Sequence, residues 1–128
     1  MNKAGGIRWG RILLGGLLVE LVLIVMTAPV FVLMGTQAMM VIVSPALFVV
    51  DLLFAYWVAR KAQAHFLLHG LLVGTVASAI YFALVYAQFG SITPVIEMYG
   101  SIMFVIANGA RFLGAALGGV LAKKRQGK

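Results

Sequence analysis

The chain has 128 residues, 63% of them hydrophobic and 10% charged, yet its formal net charge is +7. A soluble domain carries about a quarter charged residues, and a chain this small has too little interior to bury so much apolar surface. The hydrophobicity excludes disorder, the lack of cysteine excludes a disulfide scaffold, and an integral membrane protein remains.

A membrane-crossing helix needs about 20 mostly apolar residues, because the hydrocarbon core is about 30 Å thick and each residue rises about 1.5 Å. The first segment of that kind covers residues 12–33 and is broken by Glu20. The second covers 39–59 and contains Asp51. The third, 66–89, has no charge, and the fourth, 101–122, contains Arg111. The connections 34–38, 60–65 and 90–100 are short, and no soluble domain is left over. The expected fold is all-α: a single transmembrane domain forming an integral membrane four-helix bundle.

Lysine and arginine are retained on the cytoplasmic side of a membrane. Lys3, Arg8 and Arg11 precede the first span, and Arg60 and Lys61 follow the second. Lys123, Lys124, Arg125 and Lys128 follow the fourth, whereas the other two connections carry Glu97 alone. Both termini and the middle connection are therefore expected in the cytoplasm, in a multi-pass protein of the inner (plasma) membrane. The +7 then reports topology, and no nucleic acid is expected as a partner. Anionic lipid headgroups are expected at the Lys123–Lys124–Arg125 cluster, at about 1 kcal/mol per basic residue. Trp9, Trp57, Tyr86 and Tyr99 fall near span ends, where amphipathic rings prefer to sit. The first apolar run is too long for a signal peptide and reads as a retained anchor.

In lipid, small residues at four-residue spacing mark close helix contacts. Ala110, Gly114, Gly118 and Ala122 form such a stripe in span four, and Gly70, Gly74 and Ser78 a shorter one in span three. Either these stripes face each other or one of them makes a homo-oligomer contact. The match between 13–19 and 67–73 is of the kind that low-complexity apolar sequence produces by coincidence. Pro45 frees the Val41 carbonyl inside span two, so a kink is expected, with Ser44 helping to satisfy that group. Pro29 and Pro94 lie where they cost little.

Glu20, Asp51 and Arg111 are the candidate ion- or substrate-binding residues. A charge at bilayer mid-depth costs at least about 2.5–3.5 kcal/mol on insertion scales, and such groups face a bundle interior or a watery cavity. Counted from the nearest cytoplasmic basic residue, they lie roughly 14, 14 and 18 Å deep, so all three can meet near one level. If Arg111 pairs with one carboxylate, the other must be protonated, hydrated or matched by a bound cation. Such a group suits proton or cation exchange. The structural alternative is a pair that staples spans two and four, with Glu20 neutral or reaching toward the cytoplasmic surface. Asn108 is polar near mid-membrane and either bonds a neighbouring helix or lines the same cavity as Arg111.

His65 and His69 are one helical turn apart but lack a third ligand, so they read as interfacial groups bonded to headgroups or loop carbonyls. The seven methionines read as apolar filling. No nucleophile–base pair, phosphate loop or zinc constellation appears, so neither an enzyme nor a cofactor is expected.

Two resemblances follow from particular segments. Trp57–Lys61, then His69-Gly70-Leu71-Leu72-Val73-Gly74, then the glycine-rich last span resemble the YrzE-like small four-helix bacterial inner-membrane proteins. That likeness implies a topology and no activity. Gly15-Gly16-Leu17-Leu18-Val19-Glu20 is similar to the first helix of the small multidrug resistance transporters, which are four-helix proteins working as dimers. The likeness implies that Glu20 binds protons and cationic substrates in exchange. The chain departs from that family in its greater length, in Asp51 and Arg111, and in lacking a tryptophan in span three. The leading expectation is proton- or cation-coupled movement of a small solute by a homo-oligomer. The alternative is a non-transporting accessory or scaffold subunit bound to a membrane-protein partner, and a weaker third possibility is an ion channel.

Overall fold

The structure is a computed structural model that describes residues 7–62 and 64–126. Lys3 and Lys128 fall outside the described residues, and so does the side chain of Tyr99. The described chain is helical, with helices α1 (Trp9–Met34), α2 (Thr36–Ala59), α3 (Phe66–Phe89), α4 (Thr93–Tyr99) and α5 (Ser101–Arg125). Four of them, all but α4, are long and apolar enough to cross a membrane.

The connections are tighter than the sequence suggests. α2 begins at Thr36, so Gly35 alone separates it from α1, and its φ of 90° is one that side chains rarely adopt. The 90–100 connection is not a plain loop: Thr93 and Pro94 open α4, and Gly90 and Gly100 at its flanks have φ of 75° and 83°. Proline suits that first turn because its missing N–H would be unsatisfied there anyway. α2 runs unbroken through Pro45. The Ser44 hydroxyl is buried without a hydrogen-bond partner, so it does not satisfy the Val41 carbonyl as expected. At its other end α5 continues to Arg125, placing Lys123, Lys124 and Arg125 in its last turn, where positive charge complements the helix dipole.

The long helices pack as antiparallel hairpins. α1 and α5 stand diagonally opposite, each against both α2 and α3. Ile12, Val19, Ala55, Val58, Val73, Ala77 and Ala115 are fully buried along the axis. The outward surface is also apolar: Val25, Val32, Leu33, Val41, Ile102 and Val105 are each at least two-thirds exposed. A helix apolar on every side belongs in a lipid solvent, not at a water-facing core.

Glycine sets the helix spacing. A Cβ on Gly114 would collide with the Phe48 carbonyl, and one on Gly118 with the Leu52 carbonyl, so that stripe faces α2. This differs from the expected pairing with span three. The stripe that meets α3 is offset by one residue: Gly70 abuts Ala115 and Gly119, and Gly74 abuts Ala115 and Phe112. Adjacent helical residues point about 100° apart, so α5 uses two neighbouring stripes to approach two helices at once. Gly15 and Gly16 do the same on α1, against Val58 and Val73 and against Val76 and Ala77.

One end of the bundle gathers the described positive charge other than Arg111. Arg11 donates from Nη2 to the Trp57 carbonyl and lies over the Trp57 ring at 4.1 Å from its centroid. Gln126 donates to the Arg60 and Ala62 carbonyls, tying the end of α5 to the middle connection. His69 is fully buried, accepting from the Arg8 backbone N–H at Nε2 (3.2 Å), with Nδ1 2.7 Å from the His65 carbonyl. Those partners require the neutral tautomer with its proton on Nδ1. The expected bond to a carbonyl is made, to the residue one turn back at the start of α3, and full burial keeps the ring from bonding headgroups. His65 is exposed, and among the described residues no group of three or more metal-ligating side chains occurs.

Candidate functional site

Glu20 projects from α1, Asp51 from α2 and Arg111 from α5, and all three are buried, at 4%, 0% and 3% exposure. Arg111 donates from Nη1 to Glu20 Oε1 at 2.8 Å. The ion pair therefore links α1 to α5 across the diagonal of the bundle, where the staple considered from sequence linked spans two and four. Gly114 and Gly118 hold α5 close against α2, and the long Arg111 side chain reaches Glu20 on α1. Glu20, held in this way, does not reach toward the surface.

Asp51 is the unusual member. Neither of its carboxylate oxygens has a hydrogen-bond partner, although it lies near enough to Arg111 and Glu20 to feel both charges. Arg111 Nε is likewise buried and unbonded. Isolated buried charges are strongly disfavoured and neutralise instead. One guanidinium beside two carboxyls thus leaves one acid to be balanced by a proton or a cation.

A cavity of about 120 Å³ lies on the side of the pair away from the basic end. Glu20 and Arg111 form its floor, and Leu23, Val43, Leu47 and Phe104 contribute apolar wall. Asp51 sits one turn beyond Leu47, beneath the floor. A cavity of roughly 150 Å³ can hold a benzene-sized molecule, so this one has room for a few waters or a very small solute. Thr27 and Asn108 also line it, but each bonds back to its own helix, Thr27 Oγ1 to the Leu23 carbonyl and Asn108 Nδ2 to the Phe104 carbonyl. Asn108 therefore shares the cavity with Arg111, and its amide nitrogen serves its own helix. Tyr81 of α3 is a wall residue that the sequence did not single out, with its ring centroid 5.8 Å from the Arg111 guanidinium carbon. Below the floor, toward the basic end, the fully buried Ile12, Ala55 and Val58 close the axis.

Comparison with protein families, with curated proteins and with solved structures finds no match for this chain.

Proposed function

We infer that this chain is a multi-pass protein of a bacterial-type inner membrane that couples a proton or cation to the movement of a small solute. The supporting observation is Asp51, a fully buried carboxyl with both oxygens unbonded, beside an arginine already paired with Glu20 at the floor of a cavity. In this reading Glu20 and Asp51 are the exchanging carboxyls and Arg111 is their counter-ion. Asn108 and Tyr81 shape the entry. The basic end faces the cytoplasm, where lysine and arginine are retained and anionic headgroups are available. The cavity is small for one copy to serve as a complete pathway, which favours a homo-oligomer.

Proton flux into dye-loaded liposomes under a potassium diffusion potential tests the reading. Wild-type protein should acidify the lumen faster than empty liposomes do, and Asp51→Asn should return the rate to that baseline. Equal rates for wild type, Asp51→Asn and protein-free liposomes would remove proton coupling.

A second reading, an accessory or scaffold subunit, draws on the Glu20–Arg111 pair alone, which ties α1 to α5 without further chemistry. It expects a fixed partner on mild detergent extraction and no flux.

A further inference from the structure

We propose that Arg111 exchanges partners between Glu20 and Asp51, so that the three residues share one proton and stay neutral in both arrangements. The inference deepens the coupled-transport reading and rests on it for its purpose, though not for its test. In the arrangement seen, Arg111 Nη1 bonds Glu20, and Asp51 is buried with no partner beneath the pair. A carboxylate in that position is stable only with its charge removed, so Asp51 holds the proton. In the other arrangement the guanidinium bonds Asp51, and Glu20 holds the proton at the cavity floor.

The groups facing the guanidinium are Glu20 from α1, Asp51 from α2 and the uncharged Tyr81 ring from α3; α5 contributes Arg111 itself. The other described bases nearest the axis, Arg11 of α1 and His69 of α3, are held at the basic end by the Trp57 carbonyl and by the Arg8 N–H and His65 carbonyl, so the two acids compete for Arg111. The exchange is balanced: the O–H bond on one carboxyl breaks, the O–H bond on the other forms, and the guanidinium takes up the carboxylate left behind. Arg111 has the freedom this needs. It makes one hydrogen bond with Glu20, and its Nε is unbonded where it lies. Since Glu20 faces the cavity and Asp51 lies beyond it, each exchange carries the proton one step across the bundle's closed middle. Arg111 is a positioning residue in this scheme and does not itself lose a proton.

Infrared spectroscopy of the carbonyl stretch of protonated carboxylic acids, in an ester-free detergent at neutral pH, tests the exchange directly. Wild type should show the band of one protonated carboxyl. Asp51→Asn should abolish it, because Glu20 keeps its arginine. Glu20→Gln should also abolish it, because the freed guanidinium turns to Asp51 and ionises it. Arg111→Gln should double it. If Glu20→Gln keeps a band of wild-type strength, Asp51 never takes the guanidinium and the exchange is refuted. A wild type with no such band is equally fatal. If Arg111→Gln does not fold, the two isosteric amide variants still decide the matter. Protein that gives this pattern but moves no protons into liposomes would overturn the transport reading and leave the exchange standing.

Discussion

Replacing Gly114 by alanine adds one methyl group to the α5 face that meets α2, and the geometry fixes what that methyl encounters. Its carbon would lie 3.0 Å from the Phe48 carbonyl carbon and closer still to the carbonyl oxygen, while ordinary contact begins near 3.4 Å. The obstacle is backbone, which cannot rotate aside as a side chain can, so the two helices must separate by on the order of 1 Å. A gap of that size forfeits a quarter to a half of the dispersion energy of each affected atom pair, and overpacking of this kind costs about 1–3 kcal/mol. Gly109 on the same helix supplies the control, since a Cβ there meets nothing within 4 Å. Gly109→Ala should be neutral or slightly stabilising, because alanine is the better helix former by about 1 kcal/mol. Unfolding by titration with a denaturing detergent, followed by circular dichroism, measures both. The same separation carries Arg111, three residues from Gly114, away from Asp51, so on the coupled-transport reading proton flux should fall in Gly114→Ala even where the fold survives. If Gly114→Ala matches wild type while Gly109→Ala loses stability, the assignment of this stripe to the α2 contact is wrong.

Two further outcomes are expected. Ala107→Leu adds three carbons to the wall of a cavity of about 120 Å³, so on the coupled-transport reading it should depress flux several-fold at unchanged detergent stability; undiminished flux would contradict a role for this cavity in transport. His69→Ala leaves the Arg8 N–H and the buried space beside it unfilled, which should cost about 1–3 kcal/mol in the same unfolding assay. Exposed His65 has φ 58°, so His65→Asn, which tolerates that conformation, is the control; it should change stability by less than about 0.5 kcal/mol, and a loss equal to that of His69→Ala would contradict the burial of one ring alone.

Much of the architecture is legible in the residues because membrane spans are specified by length and polarity, which composition displays directly. Glu20, Asp51 and Arg111 stand out for the same reason: each interrupts an otherwise apolar run, and counting from the flanking basic residues brings them to similar depths. What the chain does not display is rotation about each helix axis. The long helices are apolar nearly all round, so no face is marked as inward, and the choice between Glu20 and Asp51 as partner of Arg111 depends on that rotation. The glycines carry part of the missing information, but Gly118 and Gly119 are adjacent, and a stripe drawn through one hides the stripe through the other. Tyr81 gives no signal in sequence beyond being an aromatic residue in a span without charge. Its relevance comes only from where α3 turns it. The one-residue connection at Gly35 was hidden because Thr36, Gln37 and Ala38 look like loop, yet a single glycine at positive φ suffices to reverse the chain.

That tight connection at Gly35 bears on how such a chain is made. On the membrane reading proposed above, helices joined so closely would enter a bilayer as one hairpin and carry Glu20 and Asp51 with them. Arg111 leaves the ribosome some 60 residues after Asp51, so both acids arrive before the one base able to pair with them. On that reading each acid would cross into lipid in its neutral form, because an unpaired carboxylate there is costly. Entry of α5 would then let one acid release its proton to water and pair with Arg111, while the other keeps its own. On that reading, synthesis in this order leads to the neutral, singly protonated cluster proposed above, already loaded when the bundle closes.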